Sequence, residues 1–141
     1  MPITVTAPRG VLTAAGEREI LPRLTTALIE ANGLAGNSFF ASLVGGTVHL
    51  LAPGDVYGGG VNRPLVMVEL KLPNIGLGTL AARAAFITAA TDVVASLTVA
   101  GHDRQDIWVN IVNAPDGGWG IGGVPYTGDD LIAAVTAGAR A

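Results

Sequence analysis

Apolar positions along this chain change period several times, and each change predicts an element. Ile3 to Pro8 is short and β-branched and reads as a strand. Ile20, Leu24, Leu28 and Ala31 then recur at helical spacing. Thr13 is a candidate N-cap, and the helix runs to about Asn32 with Gly33 as its stop. Pro22 falls inside that span, which predicts a late start or a kink, because proline has no amide hydrogen and crowds the preceding turn. Ser38 to Leu51, rich in Phe, Val, Leu and Thr, reads as strand, with Gly45-Gly46 a candidate bulge. Pro53 to Asn62, "PGDVYGGGVN", predicts a loop or hairpin. Leu65 to Leu72 is a further strand. Leu80, Ala84, Ile87, Thr91 and Val94 mark a second helix that Gly101 closes, and Asp106 to Val112 is another strand. Gly117 to Gly123 is a glycine-rich turn, and Asp129 to Ala137 a short helix stopped by Gly138.

The order is strand–helix–strand, a hairpin region, then strand–helix–strand. Each half is a βαβ unit, so its two strands should be parallel with a right-handed crossover. The predicted fold class is α+β: duplicated βαβ units forming a four-stranded mixed sheet with two helices on one face. The predicted organisation is one domain over residues 1–141, with halves at about 1–52 and 63–113 and a C-terminal hairpin and helix over 114–141. The other face of the sheet is left uncovered, and the strands look apolar enough to need a cover. Packing against further copies of the chain would supply it.

Composition supports that expectation. Half of the 141 residues are hydrophobic and only 13% are charged. For a small chain this surplus of apolar surface points to an oligomer. No transmembrane helix is expected, since Arg83 and Asp92 interrupt the longest apolar candidate. The start lacks the basic and apolar runs of a signal peptide, and there is no cysteine, which together fit a cytoplasmic protein. A net charge of −3 with eight Lys and Arg argues against a nucleic-acid partner.

Most motif matches dissolve on inspection. "GWGIGG" (118–123) fits G-x-G-x-x-G, but a dinucleotide site needs a helix to open there, and Pro125 and Gly128 follow instead. His49 sits in an apolar strand and reads as a packed residue; His102 reads as a loop residue beyond a helix. Neither has a second ligand at metal spacing, so no metal and no cofactor are expected. Asp129 and Asp130 read as a helix N-terminus. Lys71 is either a sheet-edge lysine with a solvated tip or a cation for a substrate carboxylate. "NIGLGT" (74–79) offers helix N-terminal amides that would favour the same anion. Trp108, Asn110 and Trp119 are either core packing or the wall of a pocket.

Pro2 is the most distinctive candidate. Methionine is usually removed before proline, and Pro2 would then expose a secondary amine. Together, Pro2 opening a strand and the doubled βαβ layout resemble the tautomerase superfamily, over nearly the whole chain. "RPLVMVELKLPNIGLGT" and "IWVNIVNAPDGGWG" resemble stretches of macrophage migration inhibitory factor. "VNAPDGGW" and "TGDDL" resemble malonate semialdehyde decarboxylase, and "DIWVN" the cis-3-chloroacrylic acid dehalogenases.

The resemblance implies a homotrimer in which three sheets enclose a barrel, with Pro2 as the catalytic residue in a pocket between subunits. It implies that Lys71 and Leu72 meet substrate at a strand end. Trp108 and Asn110 would line the pocket from a neighbouring subunit, and Ser38 would stand where the decarboxylase has an acid. The arginine pair of the decarboxylase and dehalogenase groups has no counterpart after Lys71, and no acid matches the dehalogenase's water-activating glutamate. The expected function is therefore a cofactor-free keto–enol isomerase acting on a small 2-oxo acid, a small-molecule carboxylate, with Pro2 as general base. The alternatives are a lyase or hydratase using protonated Pro2, and a non-catalytic trimeric binding protein.

Overall fold

The structure is a computed structural model that describes residues 1–138. Strand β1 (Pro2–Pro8) leads through Thr13 into helix α1 (Ala14–Ala31). The Thr13 side chain accepts from the Gly16 amide at 2.9 Å, and Gly33, at φ +68°, follows the last turn as glycine does after a helix C-cap. Pro22 neither delays the helix nor ends it. It and Arg18, whose carbonyl it leaves without an amide partner, both lie at exposed positions where water is available.

Helix α2 (Ser38–Ser42) precedes strand β2 (Gly45–Leu51). Here the structure corrects the expectation of one strand over 38–51. The Asn37 carboxamide caps Phe40 at 2.8 Å and turns the segment into a single helical turn. Gly45 and Gly46 pair in unbroken register with Pro2 and Ile3, so there is no bulge. A Cβ on Gly46 would lie 2.7 Å from the Ile3 carbonyl oxygen and 2.8 Å from Leu21, so only glycine lets β2 come this close to β1 and α1.

A 3-10 turn (Pro53–Asp55) and the small hairpin of β3 (Tyr57–Gly58) and β4 (Val61–Asn62) join the halves. Strand β5 (Val66–Pro73), helix α3 (Leu80–Leu97), a 3-10 turn (Arg104–Asp106) and strand β6 (Ile107–Ala114) repeat the first half. The chain closes with the hairpin of β7 (Trp119–Ile121) and β8 (Val124–Tyr126), then helix α4 (Gly128–Gly138). The "GWGIGG" motif is this hairpin: Gly122 and Gly123, at φ +60° and +82°, form its two-residue turn.

The four long strands form one mixed sheet in the order β2-β1-β5-β6. Within each half the pairing is parallel, and β1 meets β5 antiparallel. This is the fold class expected from the sequence. Alternate residues Ile3, Val5 and Ala7, with Val66, Val68, Leu70 and Leu72, point to one face and meet Ile20, Leu24 and Leu28 of α1 and Phe86, Ala90 and Val94 of α3. Each such aliphatic side chain contributes roughly 1.5–3 kcal/mol by leaving water. By length and composition α3 is apolar enough to cross a membrane, yet it packs as a core helix: Phe86, Ala90, Val94 and Leu97 are buried against α1 and the sheet.

The opposite face has no cover in the single chain. It is not the apolar surface expected. It carries Thr4, Thr6, Thr47, His49, Glu69, Lys71 and Asn110 among Met67, Trp108 and Val112. His49 is thus not packed in a core; its Nε2 lies 2.9 Å from the Thr47 hydroxyl on this open face.

Candidate active site

The first residue of β1 is where three remote segments converge. Met1 is only 6% exposed. Its carbonyl accepts from the Gly45 amide at 3.2 Å, and its amine donates to the Leu43 carbonyl. Burial without a counter-charge holds that amine below its ordinary pKa, since desolvation disfavours the ammonium. In this form the Pro2 nitrogen is an amide and has no basic lone pair.

On one side Met1 borders a cavity of about 210 Å³. Its walls are Leu34, Phe40 and Leu43 from around α2, Pro73 and Ile75 after β5, and Leu131 and Val135 of α4. Asn32 and Thr136 are the polar side chains in the lining, and among the described residues no charged side chain joins them. On the other side Met1 and Pro2 border an open depression with Gly45, Thr47 and Trp119. Trp119 stacks obliquely on Tyr126, ring centres 5.6 Å apart, which fixes the hairpin edge beside Pro2.

Polar clamps hold these walls in place. Asn37, 7% exposed, caps α2 with its oxygen and donates to the Val135 carbonyl at 3.1 Å, tying α4 to α2. Asn113 donates to the carbonyls of Pro73 and Gly76 at 2.9 and 3.0 Å. Asn32 accepts from the Leu77 amide at 3.4 Å, and Arg83 donates to the Leu77 carbonyl at 3.1 Å. Leu77 sits at φ +49°, a conformation costly to a branched side chain, and these bonds on both of its backbone groups hold it there. The α3 N-terminus is occupied by its own Thr79 side chain, which accepts from Ala82 at 3.1 Å. At the head of α4, Asp116 accepts from Gly128 at 2.7 Å. Asp130 and Thr127 cap each other, as the reading of Asp129 and Asp130 as a helix start requires.

The residues singled out in the sequence fall into three groups. The antiparallel pairing of β1 with β5 ends at Ile3–Leu70, and Pro2 and Lys71 are the next residues on the two strands; Lys71 lines neither the cavity nor the depression. Lys71 is exposed on the open face, its ammonium 2.9 Å from Glu69. Trp108 and Asn110 share that face but not that end. Asn110 pairs with Glu69, and Trp108 lies beside Met67, opposite Thr6. That is four residues along β1 from Pro2, about 13 Å at the strand rise of ~3.3 Å. Trp108 donates its ring nitrogen to the Gln105 carbonyl at 3.1 Å.

Leu72 and Ser38 differ from expectation. Leu72 is 1% exposed in the core, because adjacent strand residues point to opposite faces and Lys71 takes the open one. Ser38 is exposed at the first position of α2 and lines neither cavity; of this turn, Phe40 lines the cavity and Ser42 the depression beside Pro2. Sequence reasoning also missed Leu43, Leu131 and Val135, and the clamps Asn37 and Asn113. Asn37 ahead of an apolar turn was the one signal available for them.

No family model and no curated protein matches this chain. Solved structures do. A symmetric trimer of fused 4-OT superposes with a TM-score of 0.73 at 23% identity, covering 94% of this chain and 98% of its own. Pt0534 inactivated by 2-oxo-3-pentynoate gives 0.72 at 20%, covering 93% and 98%. Macrophage migration inhibitory factor of Toxoplasma gondii gives 0.66 at 15%, covering 89% and 100%. The chain therefore has the fold of the tautomerase superfamily along nearly its whole length.

Proposed function

We propose that the chain, once it begins at Pro2, is a cofactor-free tautomerase acting on a small 2-oxo acid. The observation that carries this is the position of Pro2: it opens a central strand, borders an open depression with Gly45, Thr47 and Trp119, and directly follows Met1, which borders an apolar cavity. A free α-amine titrates near 8 in water. An apolar setting lowers that value, as it does for the Met1 amine at the same end of the strand, and brings a base toward neutrality where it works best.

Neutral Pro2 takes the proton from the enol oxygen of the substrate. The C2–C3 double-bond electrons then take that proton back from protonated Pro2 at C3, which restores the neutral base and leaves the C2 carbonyl of the keto product. Run backwards, the same base removes the C3 proton. Lys71, the next residue beyond the Ile3–Leu70 pair on β5, meets the substrate carboxylate. Its partner Glu69 is exposed, and such a surface ion pair is worth only about 0–1 kcal/mol, so Lys71 is readily redirected. A homotrimer supports the reading further. Trp108 lies about 13 Å along the strands from Pro2 within one chain, and a neighbouring copy packed on the open face would bring its own Trp108 and Asn110 to this end. The fused 4-OT compared above is a trimer.

The test is ketonisation of an enol 2-oxo acid such as phenylpyruvate, followed by absorbance, with protein whose N-terminus is defined by mass spectrometry. Turnover by the chain starting at Pro2, none by the chain retaining Met1, and none by Pro2→Ala is the expected result. Equal turnover by all three removes Pro2 from the mechanism. Light scattering showing a monomer at micromolar concentration removes the trimer.

A further inference from the structure

We propose that the slot now filled by the Met1 side chain is a substrate subsite for an unbranched apolar tail. The substrate class is then the straight-chain aliphatic 2-oxo monocarboxylic acids. This rests on the reading of Pro2 as the base, since it assigns the group carried by C3 of the same substrate.

Met1 is a covalently attached stand-in for that tail. Its flexible, unbranched side chain leaves the residue 6% exposed, immediately before the nitrogen that would do the chemistry. The cavity continues past it between Phe40, Leu43, Pro73, Ile75, Leu131 and Val135. The remaining 210 Å³ is below the roughly 300 Å³ of pockets that hold drug-sized ligands. Removing Met1 joins its own volume to that space, giving a largely apolar cavity with room for several methylenes. Among the described residues its lining holds no cation to receive a second carboxylate, and burying one unpaired is costly. The Asn37–Val135 bond closes the cavity's far wall by holding α4 against α2.

Two measurements decide the matter. The first follows loss of the C3–H signal in deuterium oxide by proton NMR, using the chain beginning at Pro2 and the series 2-oxobutyrate, 2-oxohexanoate and 2-oxooctanoate, with 2-oxoglutarate as the dicarboxylate. The expected kcat/KM rises about fourfold per added methylene until the cavity is full, and 2-oxoglutarate falls below 2-oxohexanoate. Val135→Asp is expected to lower the value for 2-oxooctanoate at least tenfold more than for 2-oxobutyrate. The second measures calorimetric binding of butyrate, hexanoate and octanoate, which needs no turnover, to the chain with and without Met1. Affinity that climbs with chain length only in the chain lacking Met1 supports the subsite. Exchange that is flat along the series, or best for 2-oxoglutarate, overturns the subsite and leaves the base intact. Chain-length-dependent binding with no exchange on any 2-oxo acid overturns the base and leaves the subsite. Binding independent of length, or equal with Met1 present, overturns the subsite.

Discussion

The two βαβ halves share a plan and end differently. In the first, β1 and β2 pair from Pro2–Gly45 onward; in the second, β5 and β6 pair from Val66–Ile107 onward. Pro2 and Val66 are the first paired residues of the two halves, yet they turn to opposite faces of the sheet: Pro2 is exposed on the open face and Val66 is fully buried in the core. The connections into the second strands differ as well. Helix α2 stands off the sheet and leaves a cavity behind Phe40 and Leu43. Its counterpart, the 3-10 turn Arg104–Asp106, is sealed: Asp106 is 7% exposed and ion-paired to Arg63. The two halves thus share a scaffold, and only the first leaves a cavity beside the start of its leading strand.

Substitution at these two strand starts breaks this comparison most strongly. In the chain starting at Pro2, Pro2→Ala is expected to lower kcat by about 10²–10⁴ with little change in the unfolding midpoint. Val66→Ala should do the reverse, costing about 1–3 kcal/mol in a urea titration and leaving kcat within a few-fold. If Val66→Ala abolishes turnover while folded, the halves are not divided in this way.

Next in size is Lys71→Ala. Loss of one charge-assisted contact should weaken carboxylate binding by about 1.5–3 kcal/mol, read as a raised KM. An unchanged KM makes Lys71 only a partner for Glu69 on an exposed face.

The two connections can be compared directly. Asp106→Ala strips Arg63 of its partner and should cost about 1–3 kcal/mol of stability. Asn37→Ala removes the cap of α2 and its bond to α4, about 1 kcal/mol by the cap, but should raise KM where Asp106→Ala does not. Unfolding curves and KM for both variants separate a sealing role from a pocket role.

The smallest effect belongs to Asp130. Bonds from the Thr127 hydroxyl, and then from its amide, hold this carboxyl below its ordinary value. A carboxyl lowered on folding adds stability above its unfolded pKa of about 3.9 and loses it as pH falls through the folded pKa. Asp130→Asn should therefore melt slightly below the parent at pH 7, with the gap narrowing as pH falls below about 3.9. A gap that does not narrow under acid assigns the effect to something other than this ionisation.

Much of this was legible in the chain. Repeats at helical spacing located α1 and α3, and β-branched runs located the central strands, because each buries one face and the period reports it. Helix α2 was not legible. Five residues are too few to show a period, and Ser-Phe-Phe imitates a strand until Asn37 is read as a cap. The polarity of the open face lay in the alternation of Thr4 with Val5 and Glu69 with Leu70, which the overall apolar composition of the strands concealed. Pro2 announced itself by position. Its cavity did not, since Phe40, Ile75 and Leu131 come from segments that only the folded chain brings together. Lys71 and Leu72 could not both face substrate, and strand parity was enough to say so.

The central place of β1 also has a consequence for how the protein is made. Strand β1 leaves the ribosome before its partners, and the parallel strand β2 follows after α1. Its other edge waits for β5, because Ile3 pairs with Leu70. At about 5–20 residues per second, that edge stands unpaired for several seconds, with Ile3, Val5 and Ala7 beside it. An open apolar strand edge is a template for a second nascent chain. The interval between synthesis of the two halves is thus the stage at which chains translated side by side on one message are most prone to join wrongly.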